Sequence, residues 1–201
     1  MMMTDKNQKY LIIGISGMSG AGKTTLVKAL SDSINAAAVY WDDFDPISKN
    51  PEALVEWYHR GKNYAEFDYE GLSEVLNKLK SGSMIQHPVS NIDLASTPLI
   101  IFDAPMGRLH QQTGKHIDIE IYMDTPADIA LARRLIRDCE HTLYDKNEII
   151  EELKFYIEKS RPLFFSDDLK NSADLLIDGS LATKEQIEKI YSYLKKQGHL
   201  K

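Results

Sequence analysis

Gly17-Met18-Ser19-Gly20-Ala21-Gly22-Lys23-Thr24 reads G-x-x-x-x-G-K-[ST], and the chain on either side decides how that run is taken. Ahead of it stands Tyr10-Leu11-Ile12-Ile13-Gly14-Ile15-Ser16, apolar and β-branched, the pattern of a buried parallel strand. Behind it, Thr25-Leu26-Val27-Lys28-Ala29-Leu30 spaces its apolar residues as a helix does. A strand, a glycine turn and a helix start together make an anion cradle. The glycines let consecutive backbone N–H groups turn inward onto a phosphate. The helix N-terminus adds its partial positive charge. The cradle is drawn from Gly17, Ser19, Gly20, Ala21, Gly22, Lys23, Thr24 and Thr25. Lys23 can reach the β- and γ-phosphates, and the Thr24 hydroxyl can ligate Mg²⁺. The loop therefore points to a nucleoside triphosphate bound with Mg²⁺, ATP being the expected donor, with GTP left open by the sequence.

At 201 residues and 43% hydrophobic, the chain has the size of one ordinary domain. A second full domain does not fit beside a core of this kind. The net charge of −6 gives no basic footprint for nucleic acid, so any phosphate must be met by local positive charge. Cys139 is the only cysteine, which excludes an internal disulfide or a multi-thiolate metal site. Residues 1–9 are polar with no apolar signal region, and no run approaches a membrane span. A cytoplasmic protein with a small-molecule partner is expected, with no nucleic-acid or membrane partner. A homo-oligomer is compatible with the sequence.

Strand and helix signals alternate along the chain, which argues a parallel α/β sheet. The first helix is expected to end near Ile34-Asn35. A short strand follows over 36–40, then a loop rich in Asp and Pro over 41–46. Pro51 opens a predicted helix over 51–58. Residues 63–69 are aromatic and irregular, and 71–79 read as a helix stopped at Ser81-Gly82. Residues 84–97 fit either a short hairpin or an irregular connection. Leu99-Ile100-Ile101-Phe102-Asp103 is a buried strand, and 116–123 another. Helices are predicted over 126–138, 148–160 and 184–196, with a late strand over 175–178.

In an open parallel sheet, ligands gather beyond the carboxyl ends of the strands. Asp42 and Asp43 follow the second strand, and Asp103 ends the third. A carboxylate there can hold Mg²⁺, or accept the proton of an attacking hydroxyl. A solvated turn or helix cap is the simpler reading of Asp42 and Asp43. Four of the six arginines are Arg133, Arg134, Arg137 and Arg161. Arg137 shares a helix flank with Arg133 and with Arg134. Planar, permanently charged donors suit charge developing on a transferring phosphoryl group, although a solvated helix face would look alike. The histidines show no metal spacing and read as structural or surface residues. Trp57, Tyr58, Tyr64, Phe67 and Tyr69 either line a base-stacking pocket or form core.

These features together resemble the uridine kinase-like branch of P-loop kinases. That branch includes nicotinamide riboside kinases and is related to phosphoribulokinase and bacterial pantothenate kinase. The stretch from Ile13 through Leu26 is similar to the family's opening. Asp42-Asp43-Phe44 sits where the family carries an Asp followed one residue later by Phe, which implies Asp42 as catalytic base. Glu66-Phe67-Asp68-Tyr69 resembles the segment whose Asp holds ribose hydroxyls, which implies Asp68, with Tyr69 beside it, at the substrate. The longest match runs from Tyr122 to Asp138 and implies lid arginines Arg134 and Arg137. Ser160-Arg161-Pro162 and Ala173-Asp174-Leu175-Leu176-Ile177 match as well. The chain departs from the family at Asp103, where a Glu is usual, and after Asp138, where a glycine flanked by arginine is usual. It departs again over 86–91, which lacks the Tyr and later His that meet the uracil ring.

The resemblance implies a single domain over 1–201 with a three-layer α/β P-loop NTPase fold, a parallel sheet and a small helical lid near 134–147. It implies transfer of the γ-phosphoryl of ATP to a hydroxyl of a nucleoside-like substrate. Lys23, Asp42, Arg134 and Arg137 would be catalytic, and Thr24, Asp42 and Asp103 would hold Mg²⁺. Another alcohol stays open as acceptor: nicotinamide riboside, pantothenate or a sugar phosphate. So does an ATPase or nucleotide-binding regulator with no acceptor.

Overall fold

Five parallel strands form the centre of the protein, seen in a computed structural model that describes residues 10–141 and 145–200. The elements follow in chain order: β1 (Leu11–Ser16), α1 (Lys23–Ile34), β2 (Ala37–Tyr40), α2 (Leu54–His59), α3 (Glu70–Lys80), β3 (Ile85–Gln86), β4 (Asp93–Leu94), β5 (Leu99–Asp103) and α4 (Gln111–Gly114). Then come β6 (Ile119–Asp124), α5 (Ala127–His141), α6 (Lys146–Phe155), α7 (Asp167–Ser172), β7 (Leu175–Asp178) and α8 (Thr183–Lys196). The sheet order is β2-β5-β1-β6-β7. Every residue of β1 and β5 is buried, because helices cover both faces, as parallel sheets require.

The alternation along β1 sends side chains into two cores. Ile12 packs with Phe102, Trp41, Tyr69, Leu72 and Leu76 on the α3 side. Ile13 and Ile15 pack with Leu26, Leu30, Ile190 and Leu194 on the side of α1 and α8. The register pairs Ile15 with Asp103, and Tyr40 with Asp103. The carboxyl ends of β1, β2 and β5 therefore finish level. The chain leaves β1 with β5 on one side and β6 on the other, which opens the crevice where open α/β sheets bind ligands.

Most expected elements are present, with four adjustments. Pro51 does not open a helix; α2 begins at Leu54. Residues 116–118 precede β6 rather than belong to it, and Asp118 Oδ2 accepts the Ile12 N–H at 2.9 Å. The helix expected to run to Ser160 ends at Phe155 and passes into a π-helical turn, Tyr156–Ser160. The open segment over 84–97 is a hairpin of the two short antiparallel strands β3 and β4. Within the expected lid, residues 142–144 lie outside the described residues. Among the described residues, no helix is long and apolar enough to cross a membrane.

Candidate active site

The loop between β1 and α1 takes its shape from glycine. Gly20 has φ 79°, and a Cβ there would stand 2.0 Å from the Ala130 carbonyl oxygen, so only glycine lets the loop lie against α5. Gly22, at φ 99°, turns the chain into α1, which starts at Lys23 with its first N–H groups unpaired within the helix. Those groups and the loop amides are the anion cradle expected from the sequence. Lys23 folds back over the loop, and its Nζ donates to the Met18 carbonyl at 3.1 Å. Burial pushes its pKa below the ordinary lysine range, against the opposing pull of Asp103 and Asp42.

Thr24 Oγ1 donates to Asp103 Oδ2 at 2.7 Å. Asp103 is 6% exposed, and its Oδ1 is buried with no partner. Burial raises its pKa and Asp42 adds to the rise, while Lys23 and the Thr24 hydroxyl hold it down. Asp42 opens the short 3₁₀ helix Asp42–Ile47 directly beyond β2. Loss of water around its carboxyl raises its pKa first, then Asp45 and Asp43, with Lys23 and Arg137 opposing. Lys23, Thr24, Asp42 and Asp103 are thus brought together at one sheet edge. Among the described residues, no three His, Cys, Asp or Glu side chains cluster as a protein-only metal cage.

Asp68 and Tyr69 divide. Asp68 pairs backbone to backbone with Lys49, and its Oδ1 accepts from Gln112 Nε2 at 3.1 Å. It stands on the wall of a cleft of about 770 Å³ together with Ser73, Gln112 and His116. Tyr69, expected beside the substrate, is fully buried. Its ring lies 3.9 Å, centroid to centroid, from Trp41, and its hydroxyl is engaged by Asp45 and Asn50. An aromatic ring inside a sheet-facing core has no face left for a ligand. Tyr69 instead anchors the turn that carries Asp42. Trp57 and Phe67 are core as well, with Tyr58 and Tyr64 packed against it. His110 is buried between Thr113 Oγ1 at 2.8 Å and the Phe67 carbonyl at 2.9 Å. That is the structural role expected for a histidine outside any metal spacing.

The arginines of α5 take three different positions. Arg133 Nη1 donates to the carbonyls of Gly179 at 3.0 Å and Ala21 at 3.4 Å. It ties the glycine loop to the turn after β7, a role the sequence reading did not assign. Thr125 Oγ1 donates to the same Ala21 carbonyl at 3.1 Å. Arg137 is paired with its neighbour Asp138 at 2.8 Å and remains 55% exposed. Its charge reaches both Lys23 and Asp42. Arg134 is paired with Glu152 of α6 and stands over the Phe164 ring. The shared flank of Arg133 and Arg137 was visible as i,i+4 spacing. The carbonyl partners of Arg133 and the acid opposite Arg134 come from distant segments and carry no local signal.

A Walker-type loop at the crossover of a parallel sheet, with acids at the strand ends and arginines on the next helix, defines a P-loop kinase. The phosphoribulokinase / uridine kinase family matches residues 12–182, and the chain belongs to that family. A uridine kinase of Limosilactobacillus reuteri (strain DSM 20016) is 25% identical over 98% of this chain and 98% of its own length. A uridine kinase of Borrelia duttonii (strain Ly) is 29% identical over 92% of this chain and 94% of its own. Among solved structures, a sugar kinase from a Janibacter species superposes with TM-score 0.54 at 17% identity, over 92% of this chain and 95% of that one. A shikimate kinase from Acinetobacter baumannii gives 0.50 at 16%, over 94% and 96%. These two likenesses establish the three-layer fold. Family and loop together make the chain an ATP-dependent phosphotransferase with an alcohol acceptor.

Proposed function

We propose that the acceptor is a ribonucleoside-like molecule and that its 5′-hydroxyl receives the γ-phosphoryl group of ATP, as in a uridine kinase. The observation that carries this reading is the gathering of Lys23, Thr24, Asp42 and Asp103 at one sheet edge, within a chain that matches uridine kinases over nearly its whole length. Lys23 and the loop amides bind the donor phosphates. Asp42 accepts the proton of the attacking hydroxyl, and its raised pKa suits a base. Arg137 and Arg134 stabilise charge on the transferred group and help to exclude water, whose attack on ATP is the competing reaction. Asp68 accepts hydrogen bonds from a ribose diol, for which a carboxylate has two oxygens.

The donor set also fits Mg²⁺. Thr24 Oγ1 and Asp103 are hard oxygen ligands, and the unpartnered Oδ1 of Asp103 is an acceptor that a bound cation or its water would satisfy. When bound, Mg²⁺ neutralises charge on the donor phosphates. Incubating the enzyme with ATP and a panel of ribonucleosides, nicotinamide riboside, pantothenate and sugar phosphates, with products identified by mass, tests the reading. A ribonucleoside 5′-monophosphate is expected as the principal product. A phosphorylated pantothenate or sugar instead would overturn the acceptor assignment.

A further inference from the structure

On one helix, Arg133 and Arg137 share a face, whereas Arg134 sits about 100° round from Arg133 and about 60° from Arg137. A long, flexible side chain can swing through an angular difference of that size. Arg134 points elsewhere. Its Nη2 donates to Glu152, and its guanidinium stands 5.2 Å from the Phe164 ring centroid. The side chains of Arg134 and Glu152 are 16% and 33% exposed, so the pair is screened less than a surface pair. Glu152 also has firm support. The Asp145 side chain accepts from Asn147 and Glu148 N–H at 2.6 and 3.0 Å, and Glu148 answers the Asp145 N–H at 2.7 Å, so α6 begins on a closed capping box. The pose is still incomplete for the arginine, because its Nε is buried without a partner. A buried donor left unpaired is a cost that another pose can relieve.

We propose that Glu152 is a positioning residue that competes with the donor phosphates for Arg134, holding it on Phe164 and so weakening nucleotide binding. This rests on the reading of Arg134 as a phosphate-facing arginine. One planar fork serves a carboxylate or a phosphate, but not both fully. Nucleotide draws Arg134 across only by the difference between the two affinities. Donor affinity in this chain is therefore set partly by an acid on α6 that meets neither substrate.

Glu152→Gln keeps the shape and removes the charge. By calorimetry, ADP with Mg²⁺ is expected to bind this variant about three- to tenfold more tightly than the wild type. The KM for ATP falls in step and the KM for the acceptor does not, whereas a merely structural lesion would raise both. In an Arg134→Gln background the gain disappears. Unchanged or weaker ADP binding overturns the proposal, as does a gain that survives in Arg134→Gln. The wild type supplies a check that needs no folded variant. On addition of ADP and Mg²⁺, amide exchange in α6 is expected to rise as Glu152 loses its partner, and unchanged or slower exchange there overturns the proposal. A wild-type chain that binds no ADP would overturn the functional reading itself, and this proposal with it.

Discussion

Thr24 Oγ1 and Asp103 Oδ2, joined at 2.7 Å, tie the first turn of α1 to the end of β5, while the other oxygen of Asp103 is buried and unpartnered. The pair shows how the site is built. One residue comes from the glycine loop's own helix, the other from a strand far along the chain, and the parallel register makes them meet.

Burial of Asp103 has a sign that can be measured. Its folded-state pKa is raised, so above its unfolded value the folded state binds more protons than the unfolded one. Its contribution to ligand-free stability therefore falls as pH rises through that window. Asp103→Asn carries no such charge. The melting temperature of the variant minus that of the wild type is expected to grow from pH 4 to pH 7. A flat or declining difference would contradict the burial of an ionisable, unpaired oxygen.

Asp42→Asn removes proton acceptance while Lys23 and the loop amides still bind nucleotide. Turnover is expected to fall by about 10²–10⁴, with ADP affinity kept within about threefold. Asp43→Asn should be milder, and the reverse order would mean that the other acid of the pair is the base. Asp45 is the leading charged cause of the raised Asp42 pKa. Asp45→Asn therefore moves the acid limb of the kcat/KM profile to lower pH, and a move to higher pH would count against Asp42 as base.

Lys23→Ala is expected to cost at least about 10²–10³ in turnover. Its ammonium is drawn in over the loop rather than left in open solvent, and removing a desolvated cation leaves the fold intact. Circular dichroism and single-turnover rates check both halves. Near-wild-type turnover would remove the loop from the mechanism.

How far the sequence carried depended on the range of the interaction. Gly17 to Thr24 was legible because a glycine loop is a local device. The buried strands announced themselves through apolar runs such as Leu99 to Phe102. Helix limits set by local chemistry were also readable: Asn35, in the left-handed region, closes α1. Contacts between distant segments were not readable. Tyr69 looked available to a substrate, yet the sheet core took its ring and Asp45 and Asn50 took its hydroxyl. His116 reads as strand by hydropathy alternation, but it belongs to the turn before β6, where its Nε2 lies 3.0 Å from Ser73 Oγ. The grip of Arg133 on Ala21 and Gly179, and of Glu152 on Arg134, depends on which loops and which helix the fold brings beside α5.

Asp68→Ala is expected to raise the acceptor KM about tenfold or more with little change in ATP affinity, because a site that pairs with hydroxyls loses most when the pairing is removed. A 2′-deoxyribonucleoside should be a correspondingly poor acceptor for the wild type. Steady-state kinetics with matched ribo- and deoxyribo-acceptors decide this. Equal rates for the two would exclude a diol role for Asp68.

Phosphorus NMR of ATP turnover, followed with and without uridine, shows where the γ-phosphoryl group goes. The expected result is a 5′-phosphomonoester appearing in step with ADP when uridine is present. Slow release of inorganic phosphate is expected without it, because the segment after Asp138 carries no arginine before Arg161 to help exclude water. Inorganic phosphate at the same rate under both conditions, with no phosphomonoester formed, would rule out a nucleoside kinase.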